Sequence, residues 1–429
     1  MDILDIEQSF AKDESLEEYE YHEYEPITGA NLNNPGEIRI TVETQDIFYH
    51  PSESYLLFEG QLTKAGGGAT YGNDDVVTIT NNGIMHLFSN IKYQLSGQEI
   101  ESLYYPGQAT TMMGLLKYPD DFQKSQGLNQ LWYKDTGTDA SVTAATNGGF
   151  AVRHGYLVKK PDPKGTFSFR IPLKHIFGFA EDYEKIVYGF RHVLTLVRKS
   201  DDDAIFRAAA AGAGKVTLSK VSWYIPHIRP ADGPKLRLYE MIEKKVKVPV
   251  GFRMRQCESI SVPRSTSFTW RLTVKSSPEK PRYIIVVFQT EKDGNQQKNP
   301  SIFDHVNVKN MFVTLNSTRY PAVDYDLSFT KQQYSRAYGD AASFRAKFYN
   351  MDELVSNPNI TPSDYKDLFP LFVFDVSKQS EKLKNSVTDI QVKAHFNENV
   401  PDGTEAFALV ISDRVLSFES DGNKMTVIS

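Results

Sequence analysis

An all-β chain built as two tandem sandwiches is predicted by three features of the sequence. These are short runs of alternating apolar and polar residues, heavy aromatic usage, and two passages half a chain apart that read alike. In EIRITVET, Ile38, Ile40 and Val42 fall on one face and Arg39, Thr41 and Glu43 on the other, the period of two of a half-buried strand. Aromatic residues make up 12% (26 Phe, 23 Tyr, 3 Trp), and flat rings pack well on pleated sheet. A chain of 429 residues suits two units of about 200. With 40% apolar and 24% charged residues, it can bury sizeable cores and is not a wholly disordered chain.

The chain opens on an acidic stretch. Residues 1–25 hold ten acidic residues against Lys12, a charge of −9 within a total of −6, so the other 404 carry +3. Such a stretch reads as a disordered, solvated leader, or else as a docking peptide anchored by Tyr19, Tyr21 and Tyr24. The strand YLLFEGQLT follows, then a glycine loop (Gly66–Gly68), then VVTIT; Asn82-Gly83 and Ser96-Gly97 mark turns. Short strands spaced by polar turns describe a sandwich or barrel. Helical periodicity is confined to Ala109–Lys117, Lys235–Lys245 and the stretch around Gln332–Ala342.

The passages that read alike are HLFSNIKYQLSGQEI (His86–Ile100) and HVNVKNMFVTLNSTRYP (His305–Pro321). Upstream of them, YLLFEGQLT (Tyr55–Thr63) and FTWRLTVK (Phe268–Lys275) form a second pair. Two sandwiches of similar plan follow from this order, joined near Pro226–Lys245, where Pro226, Pro230, Gly233 and Pro234 suggest a stiff linker. The expected division is a tail over 1–25, a first unit over 26–230, a linker over 231–247 and a second unit over 248–429.

Chemistry is conspicuous by its lack of pattern. The nine histidines (His22, His50, His86, His154, His175, His192, His227, His305, His395) show no HxH or HExxH spacing. Gly212-Ala213-Gly214-Lys215 fails as a phosphate loop, because Val216 follows the lysine and Ala209 stands where the first glycine belongs. Asp201-Asp202-Asp203 could ligate a hard cation but reads better as a solvated loop. Cys257 is the only cysteine, which excludes a disulfide framework and a cysteine-based metal site; no histidine near it in sequence marks it as a nucleophile. No GxSxG elbow occurs. No catalytic, cofactor-binding or metal-binding residue is therefore assigned, and an enzyme is not expected. The longest apolar runs, such as Ile284–Phe288, are strand-sized, so no membrane span is expected. The opening MDILDIEQSF lacks the character of a secretory signal, which points to a protein not exported by the secretory route. A body near neutrality lacks the basic footprint of a DNA-gripping protein.

An ordered series of segments carries a resemblance. They are HLFSNIKYQLSGQEI, QLWYKDT, IPLKHIFGF, RHVLTLVRK and VSWYIPHIRP in the first half, then NPSIFDHVNVKNMFVTLNSTRYP and LFVFDVSK in the second, closed by IQVKAHF and AFALVISDRVLSF. Over residues 30–429 the chain resembles the double jelly-roll major capsid proteins, especially those of Polinton/Maverick-type elements and adintovirus-like DNA viruses. The resemblance implies two eight-stranded jelly rolls side by side with a few short loop helices. It also implies a homotrimer of pseudo-hexagonal outline, an icosahedral shell closed with penton and minor capsid proteins, and a double-stranded DNA genome held only indirectly. A virion location, with assembly inside the host cell, follows from the same likeness.

In such a shell the long loops Glu101–Gly149 and Tyr320–Pro370 would make contacts and outer towers. Met112, Met113, Leu115 and Leu116 within the first loop would seal the end of a sandwich or pack on a neighbouring subunit. The rival reading is a carbohydrate-binding or carbohydrate-active β-sandwich. It asks for exposed tryptophan, and only Trp132, Trp223 and Trp270 are available.

Overall fold

Alternating runs become antiparallel strands in the computed structural model, which describes residues 15–27, 31–43, 47–273, 280–356, 358–378, 388–420 and 425–428. The first half supplies β1 (Leu16–Tyr24), β2 (Gly36–Val42), β3 (Phe48–Tyr49), β4 (Tyr55–Lys64), β5 (Val77–Ile79) and β6 (Phe88–Leu95). It continues with β7 (Gln98–Tyr104), β8 (Thr166–Pro172), β9 (Val187–Tyr188), β10 (His192–Arg198), β11 (Ile205–Arg207) and β12 (Gly214–Pro230). The second half supplies β13 (Val248–Ser261), β14 (Ser267–Arg271), β15 (Lys280–Thr290), β16 (Val308–Leu315) and β17 (Thr318–Tyr320). It ends with β18 (Phe372–Asp375), β19 (Ile390–Phe396), β20 (Thr404–Ser420) and β21 (Met425–Ile428).

Both halves follow one plan. In the second, the sheets run β13-β20-β15-β18, with β21 beside β20, and β14-β19-β16-β17. In the first they run β8-β4-β12-β3-β9, with β1 also on β12, and β2-β10-β6-β7. A small β5–β11 hairpin-like pair stands apart. The two halves correspond strand for strand: β1-β12-β4-β8 matches β13-β20-β15-β18, and β2-β10-β6-β7 matches β14-β19-β16-β17. Each half is thus two four-stranded sheets face to face, the eight strands of a jelly roll, plus β3 and β9 in the first and β21 in the second.

This correspondence corrects one of the two expected repeats. β6–β7 and β16–β17 occupy the same places in their sheets, as the likeness of His86–Ile100 to His305–Pro321 implies. Tyr55–Thr63, however, is β4, whose counterpart is β15, whereas Phe268 and Trp270 lie in β14, the counterpart of β2. Both runs alternate, and alternation reports a half-buried face without saying which sheet it belongs to.

The cores lie between the paired sheets. Ile38, Ile40, Leu194, Leu196, Phe58 and Trp223 are fully buried in the first, and Ile284, Val286, Phe288, Val313, Val392 and Val410 are fully buried in the second. Each such side chain contributes on the order of 1.5–3 kcal/mol. β15 is apolar on both faces because helices cover its outer side: Tyr283 meets Phe344 with ring centroids 4.9 Å apart.

Two expectations about the joints also change. Residues 16–24, read as disordered leader, form β1, which pairs with β12 from Leu16↔Pro230 to Tyr24↔Trp223. The free edge of β12 satisfies a backbone that the acidic side chains leave on the surface; residues 1–14 lie outside the described residues. The stretch read as a stiff linker holds a helix, Asp232–Glu243, with Pro234 in its first turn, where a missing N–H costs nothing. That helix is named α6 below, after α1 (Gly83–His86), α2 (Pro106–Lys117), α3 (Ala144–His154), α4 (Leu173–Ile176) and α5 (Gly178–Asp182). Three more, α7 (Ser335–Ala342), α8 (Phe344–Tyr349) and α9 (Pro362–Asp367), fill the second long loop.

All twelve residues of α2 are buried. Met112, Met113, Leu115 and Leu116 therefore seal the end of the first sandwich within the chain. Gly114 lets Trp132 lie on the helix, since a Cβ there would stand 2.3 Å from the indole ring.

Candidate functional site

The polar chemistry of this chain is concentrated in the wall between its halves. Midway along β13, Arg253 and Arg255 lie on the same face, two residues apart, toward α4 and α5 of the first half. The Glu101 carboxylate, at the middle of β7, accepts N–H groups from Gly178 (3.1 Å), Phe179 (2.9 Å) and, across the wall, Arg255 (2.8 Å). The Arg255 guanidinium donates to the carbonyls of His175 and Ile176, both at 3.0 Å, and pairs with Glu181. Glu181 also pairs with Lys117 and accepts the Tyr349 hydroxyl at 2.8 Å. Next to it, the Arg253 N–H and Nε donate to Asp182 at 2.7 and 2.9 Å, and the guanidinium lies 3.6 Å over the Phe348 ring.

Burial sets the electrostatics of this cluster. It pushes Glu101 up to about 7, against the pull of Arg255 and the three N–H donors. It brings Lys117 down to about 7, helped by Arg255 and opposed by Glu181. Burial alone would raise Glu181, but Lys117 and Arg255 outweigh it and hold the carboxyl down at about 2. Every charge here has a partner, as buried charges require.

A second cluster closes one end of the wall. Gln296 receives Arg207 Nε at 3.0 Å and the Gly214 N–H at 2.8 Å, and returns a bond to the Gly214 carbonyl at 2.9 Å. Gly294 N–H donates to Asp203 at 2.7 Å, and Thr80 donates to Asn299 at 2.7 Å. Ser301 donates to Asp135, which is itself paired with the fully buried Arg153 at 2.8 Å. Between the clusters Tyr105 packs edge-on to Phe407 (5.5 Å), and past the arginines Phe179 lies edge-on to Phe252 (5.4 Å) and Phe190 against Phe418 (4.8 Å).

Several residues weighed from sequence find structural places. Asp201, Asp202 and Asp203, read as solvated, bind Arg198, Gln296 and Lys199 respectively. Their side chains are spent on tying the loop down. His86, His175 and His192 are buried and pushed down to about 3 by desolvation. Cys257 is buried and its thiol is pushed well up by desolvation, which makes a poor nucleophile. Trp132, Trp223 and Trp270 are at most 4% exposed, so none offers a platform for a sugar ring. Among the described residues no group of three or more His, Cys, Asp or Glu could hold a metal ion. No helix among them is long and apolar enough to cross a membrane.

Sequence reasoning missed Glu101, Arg253, Arg255 and Gln296. The available signal was the run FRMRQ, two arginines at period two on either side of Met254.

Two jelly rolls sharing one wall define an architecture, and the family comparison agrees with it. The double jelly roll-like domain family matches residues 147–416, well over half of the chain and across the wall. The chain belongs to that family. Solved double jelly-roll structures superpose over nearly the whole length. A chain of the Sputnik virophage particle aligns with a TM-score of 0.62 at 9% identity, covering 99% of this chain and 91% of that one. The Faustovirus major capsid protein aligns at 0.57 and 10% identity over 98% and 92%. The mavirus major capsid protein aligns at 0.55 and 12% identity over 95% and 89%. At such identities the likeness is one of fold. No curated protein matches the sequence.

Proposed function

We propose that this chain is the major capsid protein of a DNA virus or virus-like element of Polinton/Maverick type. Residues 16–230 form one jelly roll and 248–428 the other, with α6 between them. Three copies build a capsomer of pseudo-hexagonal outline, and capsomers tile an icosahedral shell with penton and minor capsid proteins around double-stranded DNA. The protein acts by assembly rather than catalysis, and it works in the virion after assembly inside the host cell.

The observation that carries this reading is the wall. Buried ion pairs and apolar rings along it make the paired rolls one rigid block, which is what a tile requires. Full-length superposition on two major capsid proteins of DNA viruses supports it. The near-neutral body also suits dense packing, since strong like charge would drive copies apart.

Light scattering with negative-stain imaging of the same peak tests it. A species of about 146 kDa (three times 48.6 kDa) with a hexagonal outline, or closed shells, is expected. A chain that stays at 48.6 kDa at high concentration, with no shells, would overturn it.

A further inference from the structure

α6 carries apolar residues that the described residues cover only in part. Leu238, Met241 and Ile242 stand at i, i+3 and i+4 spacing and, with Val246 just past the helix, line an open groove of about 260 Å³. Phe190 and Met425 face them from the other side. No residue of α6 is buried, and Met241 and Val246 are 43% and 41% exposed. The helix is nonetheless anchored, because Tyr239 packs edge-on to Tyr188 at 5.8 Å.

Three observations identify the occupant. The Ala231 N–H, just before α6, donates to the Ser15 carbonyl at 2.9 Å, so residues 1–14 depart from beside the start of the helix. α6 spans about 18 Å, while fourteen residues reach about 21 Å as a helix and roughly 46 Å extended. In those residues Ile3, Ile6 and Phe10 are spaced i, i+3, i+7, the anchor spacing of a helix laid in an apolar groove.

Charge agrees with this. Residues 1–14 hold five acidic residues against Lys12, a net −4. The one charged residue that lines the groove is a cation, Lys185, and among the described residues no carboxylate pairs with it.

We propose that residues 1–14 of the same chain dock in this groove, with Ile3, Ile6 and Phe10 seated against α6. The leader then acts as an intramolecular cover for an apolar surface beside the joint of the two rolls.

The test places the photo-crosslinking residue p-benzoylphenylalanine at Met241 in the full chain, followed by denaturing electrophoresis and peptide mapping. The expected product runs as a monomer, with the tryptic peptide Met1–Lys12 joined to α6. A cross-linked dimer, in which a neighbouring copy fills the groove, overturns the proposal, as does a link to any other segment or no link.

Amide exchange of the unsubstituted chain gives a second readout. Residues 2–11 should exchange about tenfold or more slowly than in the free peptide, and Ile6→Asp with Phe10→Asp should restore the free rate. Free-peptide exchange in the unsubstituted chain would refute it.

Discussion

The Glu101 carboxylate accepts the backbone N–H of Arg255 at 2.8 Å, joining β7 of one jelly roll to β13 of the other across 154 positions of sequence. One side chain thus satisfies three donors from two segments, α5 and β13. The adjoining guanidinium reciprocates by capping the carbonyls at the end of α4. Four consequences can be measured.

Arg255→Met removes a cation that is 1% exposed and leaves Glu181 and the carbonyls of His175 and Ile176 short of a partner. A loss of about 3–5 kcal/mol is expected, because breaking a buried pair strands the other charge. Urea unfolding measures it. A loss below about 1 kcal/mol would mean that the wall is not a principal source of rigidity.

Gly178→Ala acts on the same contact by volume. A Cβ at this position would stand 1.8 Å from the Arg253 carbonyl oxygen, which is backbone and cannot swing away. The halves must part locally, at a cost of about 1–3 kcal/mol or more. Gly155→Ala, where a Cβ meets nothing within 4 Å, is the control and should be near neutral.

Acid should destabilise the fold. His86, His175 and His192 sit at about 3 when folded against an ordinary 6.5, so the unfolded chain takes up their protons first. Their contribution is complete above about pH 6.5 and is lost as pH falls toward 3. Glu101, held up at about 7, runs the other way, since the folded state keeps a proton that the unfolded chain releases above 4.5. Between pH 4.5 and 6.5 these four groups together take up about two protons on unfolding, or about 3 kcal/mol per pH unit, and His227, brought down to about 4 by desolvation, acts in the same direction. A urea midpoint that stays level or rises from pH 7 to pH 5 would contradict this assignment.

Deleting residues 1–25 should lower the thermal midpoint. It removes β1 and with it the ladder to β12, the Tyr24 hydroxyl bond to His227 (2.9 Å) and the His22–His227 stack (3.8 Å). A loss of at least about 2 kcal/mol is expected from these bonds. An unchanged midpoint would return the whole acidic stretch to the role of a solvated leader.

Local patterns in the sequence carried far. Alternation marked the strands, and helices stand at or near the three predicted places: Pro106–Lys117, Asp232–Glu243 and Ser335–Ala342. The duplicated plan was legible in His86–Ile100 and His305–Pro321, because a strand, a turn and a returning strand form one contiguous unit. The resemblance carried by the ordered segments agreed with the family found.

What the tertiary structure alone decided depends on pairing between distant segments. A stretch as acidic as Leu16–Tyr24 becomes a strand only because the edge of β12 lies open to it; no property of nine residues announces a partner 200 positions away. Tyr55–Thr63 and Ser267–Arg271 alternate alike yet belong to sheets that do not correspond, since a period of two encodes a face and not a neighbour. The charges of Glu101, Arg253 and Arg255 read as ordinary surface polarity until the two rolls meet, when desolvation turns them into the groups that hold the wall closed.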